Sequence, residues 1–219
     1  MSEELIQEQS HSNLLSIDFN FIMWPCIKLY HDLTNEKEGS VINWSFIEQV
    51  RGLDKCFLQY DAKSYCKIVK LIQKYTEQGA KLYKTDKHSQ CVNYFTDENI
   101  KYNLYNIDFY HDIMINQKDR NNIMKFNKYD SSNWVGYLLL KDKINSYTWI
   151  RFPNSISYDT RLNGIYDIRF NEEFLTNMIT NNTIPESIDT IVINFPSHQV
   201  PYEYKHLYDL IFDLFRKEE

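Results

Sequence analysis

The residues best suited to chemistry are Asp108, Tyr110, His111 and Asp112, which close the apolar run Leu104-Tyr105-Asn106-Ile107. That run has the composition of a buried parallel strand, covered on both faces, so acids at its end have left the core. In open α/β sheets that end is where ligands bind. Side chains alternate along an extended chain, which sets Asp108, Tyr110 and Asp112 on one side and Phe109 and His111 on the other. Two carboxylates then converge with a tyrosine between them. Taken alone, such an acid-rich stretch is a solvated loop; its weight comes from other polar residues in the chain.

One of these is Asp18, within the β-rich segment Leu14 to Ile22, where Asp18 and Asn20 lie two apart and share a side of the strand. An acid in such an apolar setting must be paired, hydrogen-bonded or metal-bound, because an unpartnered buried carboxylate is very costly. A loop-capping aspartate at the sheet edge is the equal alternative. The other is His88, in the polar turn Asp86-Lys87-His88-Ser89 after a short strand at residues 81–85. A lone histidine in a turn is usually a surface residue, but this one precedes the Asp108 strand, and neutral imidazole is a common metal ligand.

The elements that position these residues follow from periodicity. Leu14 to Ile22 reads as the first core strand. Trp44 to Gly52 reads as a short helix and Asp61 to Gln78 as a clear one, N-capped by Asp61, with Tyr65, Ile68, Val69, Ile72 and Tyr75 on one face and Gly79 as its end. Ser132 to Leu139 reads as a capped helix start and Ser146 to Phe152 as a strand, after which Asn154 and Ser155 could line a site, as could Asn133. Ile165 to Phe170 and Ile188 to Asn194 read as two further strands, with a helix between them at Glu172 to Thr180. A final amphipathic helix starts from Pro201 and packs Leu207, Leu210, Ile211, Leu214 and Phe215 on the sheet. Strands alternating with helices predict an α/β fold, three layers with a mostly parallel central sheet. Residues 1–219 form one domain in this reading, and 1–13 a flexible N-terminal extension.

Composition narrows the function. The net charge of −6 comes with scattered Lys and Arg, which disfavours nucleic acid as a partner. Cys26, Cys56, Cys66 and Cys91 form no Cys-x-x-Cys pair, and a chain with its own core needs no disulfide staple. The acidic, polar start lacks the pattern of a signal peptide, and no apolar run approaches the roughly 20 residues that span a bilayer. The expectation is a cytoplasmic protein with no membrane partner. Serine hydrolase chemistry at Ser197-His198 is discounted, because adjacent residues rarely face each other and no Gly-x-Ser-x-Gly elbow exists.

Asp18-x-Asn20, then His88, then Asp108-x-Tyr110-His111-Asp112, resembles the metal set of the arginase and deacetylase (ureohydrolase) fold, which uses Asp-x-Asp, a His and Asp-x-His-x-Asp. The surrounding residues, Ile17-Asp18-Phe19-Asn20-Phe21 and Asn106 to Asp112, look most like a little-characterised branch that includes peptide arginases, over roughly residues 14 to 215. The resemblance implies a ureohydrolase-like fold and hydrolysis of a C–N bond, such as the guanidinium of a peptidyl arginine, by a metal-activated hydroxide, giving ornithine and urea. The substrate would be a peptide or small molecule, arginine-containing in this reading. The first ion would fall to Asp18, His88, Asp108 and Asp112, and the preferred ion is Mn²⁺, with Zn²⁺ or Fe²⁺ as alternatives.

Where the family's second ion needs a histidine and an acid, this chain has Tyr110 and Asn20. A phenol with a pKa near about 10 is a poor ligand at neutral pH, and asparagine brings no charge, so one ion is expected rather than two. Asp112, Tyr110 and His111 are the candidate catalytic residues: an acid to accept the proton of water, Tyr110 to donate a hydrogen bond to developing charge, and His111 to support or pack behind the ligands. Asn20, Tyr110 and His111 are the positions for any second ion. Two readings follow: an arginase-like hydrolase, or a lapsed protein of the same fold that binds a small ligand or partner without turnover.

Overall fold

The computed structural model describes residues 11–23, 61–108, 110–113, 117–151, 169–174, 184–196, 200 and 204–215. Among the described residues six strands form one sheet: β1 (His11–Asp18), β2 (Lys81–Thr85), β3 (Lys101–Ile107), β4 (Ile144–Arg151), β5 (Arg169–Phe174) and β6 (Thr190–Asn194), in the order β2-β6-β1-β3-β4-β5. All five pairings are parallel, with Leu14 level with Leu104 on one side and with Thr190 on the other. The helices are α1 (Ala62–Glu77), α2 (Gln117–Phe126), α3 (Trp134–Leu140) and α4 (Lys205–Phe215). The expected α/β architecture with a parallel sheet is therefore present.

Alternation on β1 distributes the core. Leu15 and Ile17 face a cluster with Ile68 and Ile72 of α1 and Ile211 of α4, while Leu14 faces the opposite cluster with Trp134, Val135 and Leu138 of α3. Helices thus cover both faces. Each fully buried aliphatic side chain contributes about 1.5–3 kcal/mol, so β1, apolar on both faces, anchors the sheet. From β1 the chain runs outward past β6 to β2, then returns to place β3 on the other flank of β1. Connections diverging from neighbouring strands leave a crevice at their carboxyl ends. Asp18 and Asp108 stand at that crevice.

Local chemistry sets the helix ends. Asp61 Oδ1 accepts from the Lys63 and Ser64 amides, satisfying two donors at the start of α1, and Gly79 leaves the helix at φ +102°, a conformation that only glycine adopts without strain. Tyr65, Ile68, Ile72 and Tyr75 form the buried stripe.

Five expectations change. The first strand starts at His11, so His11–Asn13 of the flexible extension expected at 1–13 are instead paired with Lys101–Asn103. It ends at Asp18, and Phe19–Met23 is a 3-10 turn, so strand alternation does not govern Asn20. Strand β5 runs to Phe174, covering the start of the helix expected at Glu172 to Thr180; pairing with β4 overrides the local preference, and residues 175–180 lie outside the described residues. On α4 the buried stripe is centred on Tyr208 and Ile211, which leaves Leu210 42% and Leu214 57% exposed at its far edge. Strand β3 ends at Ile107, one residue before the acids. The short helix at Trp44 to Gly52 lies outside the described residues, as do residues 1–10. No helix among the described residues is long and apolar enough to cross a membrane.

Candidate metal centre

Three carboxylates converge on one imidazole nitrogen. Oδ2 of Asp18, Asp108 and Asp112 lies 3.4, 3.1 and 3.0 Å from His88 Nδ1, and all four side chains are buried. Asp18, His88 and Asp108 each offer a possible ligand atom within 4.8 Å of the others. Asp18 ends β1, Asp108 follows β3, and His88 opens the 3-10 turn His88–Tyr94 after β2. Three parallel strands thus deliver ligands to one point, and the loop after β3 delivers the fourth.

That loop is pinned from outside. Trp149 Nε1 on β4 donates to the Asp108 carbonyl at 3.0 Å, and the Tyr147 hydroxyl donates to the His111 carbonyl at 2.8 Å. Asp112 takes a left-handed backbone, φ +53°, and its carbonyl accepts from the Val135 and Gly136 amides at the start of α3. A positive φ on a non-glycine residue costs energy and persists where the surroundings enforce it. This turn, not strand alternation, is what brings Asp112 back towards Asp108.

Hydrogen-bonding partners also orient these side chains. Ser16 Oγ lies 2.8 Å from His88 Nε2, where it can accept from an Nε2–H and holds the ring with Nδ1 turned to the carboxylates. Trp134 Nε1 donates to Asp112 Oδ2 at 2.7 Å. Asn20 Nδ2 donates to Asp108 Oδ1 at 2.9 Å.

The electrostatics are those of an acceptor surplus. Burial, then the Asp108 charge, raises the Asp18 carboxyl well above the usual carboxylate range, and the same causes push Asp112 up to about 7. Burial alone would lower His88, but Asp112 and Asp108 hold it well above the usual imidazole value. One imidazolium cannot balance three buried carboxylates, and Lys87, the cation lining the cavity, is exposed. Oxygen-rich, anionic and preorganised, the set fits a hard or borderline divalent cation.

Asp18, His88, Asp108 and Asp112 open into a cavity of about 270 Å³, which Tyr110, Asp86, Lys87, Ser131, Asn194 and Pro196 also line. Tyr110 is half-buried at its wall. His111 is not among the lining residues: its Nδ1 accepts the Ile113 amide at 2.9 Å and its ring stands edge-on to Trp149. Burial lowers its pKa. This places His111 in a packing and support position rather than facing a reacting atom. Asn133 Oδ1 accepts the Asp130 amide and does not line the cavity, whereas its near neighbour Ser131 does. Asn154 and Ser155 lie outside the described residues.

Ser16, Trp134 and Asn194 were not singled out from sequence. Asn194 had a legible signal: Ile191-Val192-Ile193-Asn194 ends a strand as Ile17-Asp18 does, and the two polar residues are level across β1 and β6. Trp134 carried a weaker one, since a buried indole N–H usually finds an acceptor. Comparison with protein-family models, curated proteins and solved structures returned no match. The described chain is thus an α/β protein with a buried Asp-His-Asp group able to hold a metal ion.

Proposed function

We propose that this chain is a metal-dependent hydrolase of the ureohydrolase type, cleaving a C–N bond such as that of the guanidinium of a peptidyl arginine. The observation that carries the reading is the approach of three buried Oδ2 atoms to His88 Nδ1 at the carboxyl ends of β1, β2 and β3. Asp18, His88, Asp108 and Asp112 would hold one divalent ion, Mn²⁺ foremost. When bound, such an ion polarises the substrate and lowers the pKa of a water to about 7.

The protein's own groups do the rest. Asp112 accepts the proton of the attacking water and returns it to the leaving nitrogen as the C–N bond breaks, Tyr110 donates a hydrogen bond from the cavity wall to the attacking oxygen, and His111 steadies the loop between them. Asp86 adds a fourth acid to the lining, so a cationic side chain meets acceptors as it enters. Urea and ornithine from an arginine-containing peptide, produced by Mn²⁺-loaded wild type and not by Asp108→Ala, are the expected products.

The second reading, a binding protein of the same fold without turnover, is favoured by Tyr110 and Asn20, which replace a histidine and an acid of the resembled motif. Metal-loaded protein that binds an arginine peptide but yields no urea with Mn²⁺, Zn²⁺ or Fe²⁺ would select it.

A further inference from the structure

We infer that Asn20 is a positioning residue that restricts this centre to a single ion, by occupying with N–H donors the carboxylate oxygens that a second ion would need. The inference rests on the metal-binding reading above and deepens it.

The geometry separates the two oxygens of each acid. Oδ2 of Asp18 and of Asp108 is turned to His88 Nδ1. Oδ1 of both acids is turned to Asn20: the Asn20 backbone amide donates to Asp18 Oδ1 at 3.1 Å, and its side-chain Nδ2 donates to Asp108 Oδ1 at 2.9 Å. One residue thus clamps two ligands from the side opposite the imidazole. A cation can bridge Asp18 and Asp108 on the Oδ1 side only by displacing the Asn20 side-chain donor, whose N–H groups repel it, whereas the backbone amide leaves Asp18 Oδ1 a second lone pair.

The clamp is rigid because its neighbours are. Asn20 sits between Phe19 and Phe21, all three fully buried, and the two rings meet edge to face at 5.3 Å. Phe19 also packs edge-on against Tyr65 of α1 and Tyr208 of α4. The turn Phe19–Met23 is therefore fixed by the core, and the asparagine amide is held where the two acids meet.

Two variants test it, each read by Mn²⁺ titration and by the electron paramagnetic resonance of bound Mn²⁺, with circular dichroism as the check on folding. Wild type should bind one ion with an uncoupled spectrum. Asn20→Ala, which removes the side-chain donor, should still bind one ion but about 10- to 100-fold more weakly. Asn20→Asp, which replaces the donor with a third oxygen ligand on the Oδ1 side, should bind two ions with an exchange-coupled spectrum. Wild-type affinity in Asn20→Ala, or a single ion in folded Asn20→Asp, would overturn the inference, as would two ions in wild type. A wild type that binds no Mn²⁺ fails earlier, at the metal-binding reading itself.

Discussion

Polar side chains gather at both ends of this sheet, yet the two ends differ in kind. At the amino ends, Asn103 Nδ2 donates to Asn13 Oδ1, while Asn103 Oδ1 accepts from Asn145 Nδ2 and Ser146 Oγ, and Asp189 accepts from the Ser12 hydroxyl and the Asn13 amide. Donors match acceptors there, the groups are neutral save one, and water reaches most of them. At the carboxyl ends three carboxylates are buried around a single imidazole. A polar cluster at a strand end is therefore not in itself a site; burial with a surplus of acceptors is what calls for a cation.

The sharpest way to break this contrast is Asp108→Asn. It removes one of three repelling charges while keeping the shape and a polar atom for Asn20. Loss of measurable Mn²⁺ binding is expected, with a metal-free melting temperature equal to or above that of wild type. A matched change at the other end, Asn103→Ala, should do the reverse and leave Mn²⁺ affinity unchanged.

Acidity gives the next largest effect. In the metal-free chain the Asp112 carboxyl is raised to about 7, so the folded state holds its proton more tightly than the unfolded state between about 4 and 7. Its contribution to stability therefore falls as pH rises through that window. Asp18 and His88, both raised, act with the same sign. A divalent ion requires the deprotonated ligands, so it reverses the trend. The rise in melting temperature on adding Mn²⁺ should be larger at pH 8 than at pH 6; an equal rise at both would remove protonation of these acids from the account.

Trp134→Phe is subtler. The ring and its packing remain, but the donor to Asp112 Oδ2 is lost. Mn²⁺ affinity should fall about tenfold, the low end for a group that orients a ligand. The smallest effect belongs to the amino end, where Asn103→Ala should cost about 1 kcal/mol in urea unfolding, the usual worth of a solvated hydrogen-bond network.

How far the sequence carries follows from the range of each force. Asp61 and Gly79 bound α1 through local capping, and the alternation of Leu14, Leu15 and Ile17 shows a strand covered on both faces, so these were legible. Asp18, His88, Asp108 and Asp112 could be picked out by type and by place at strand ends. Their convergence could not, because it depends on the order β6-β1-β3 and on the turn at Asp112. The strand ends at Ile107, which makes alternation the wrong reason for pairing Asp108 with Asp112. Strand β5 and the exposed Leu210 and Leu214 show the same limit, since neighbouring strands and a neighbouring tyrosine decide what local pattern leaves open. Ser16 was hidden within an apolar strand, and its role exists only because His88 arrives from β2.

The most direct test of a metal centre at the carboxyl ends is elemental analysis of protein purified without chelator, followed by titration with Mn²⁺ and Zn²⁺ at pH 8. About one ion per chain in wild type, and none in Asp108→Asn, is the predicted result. A wild-type chain that takes up neither ion, or a variant that binds as wild type does, would contradict it.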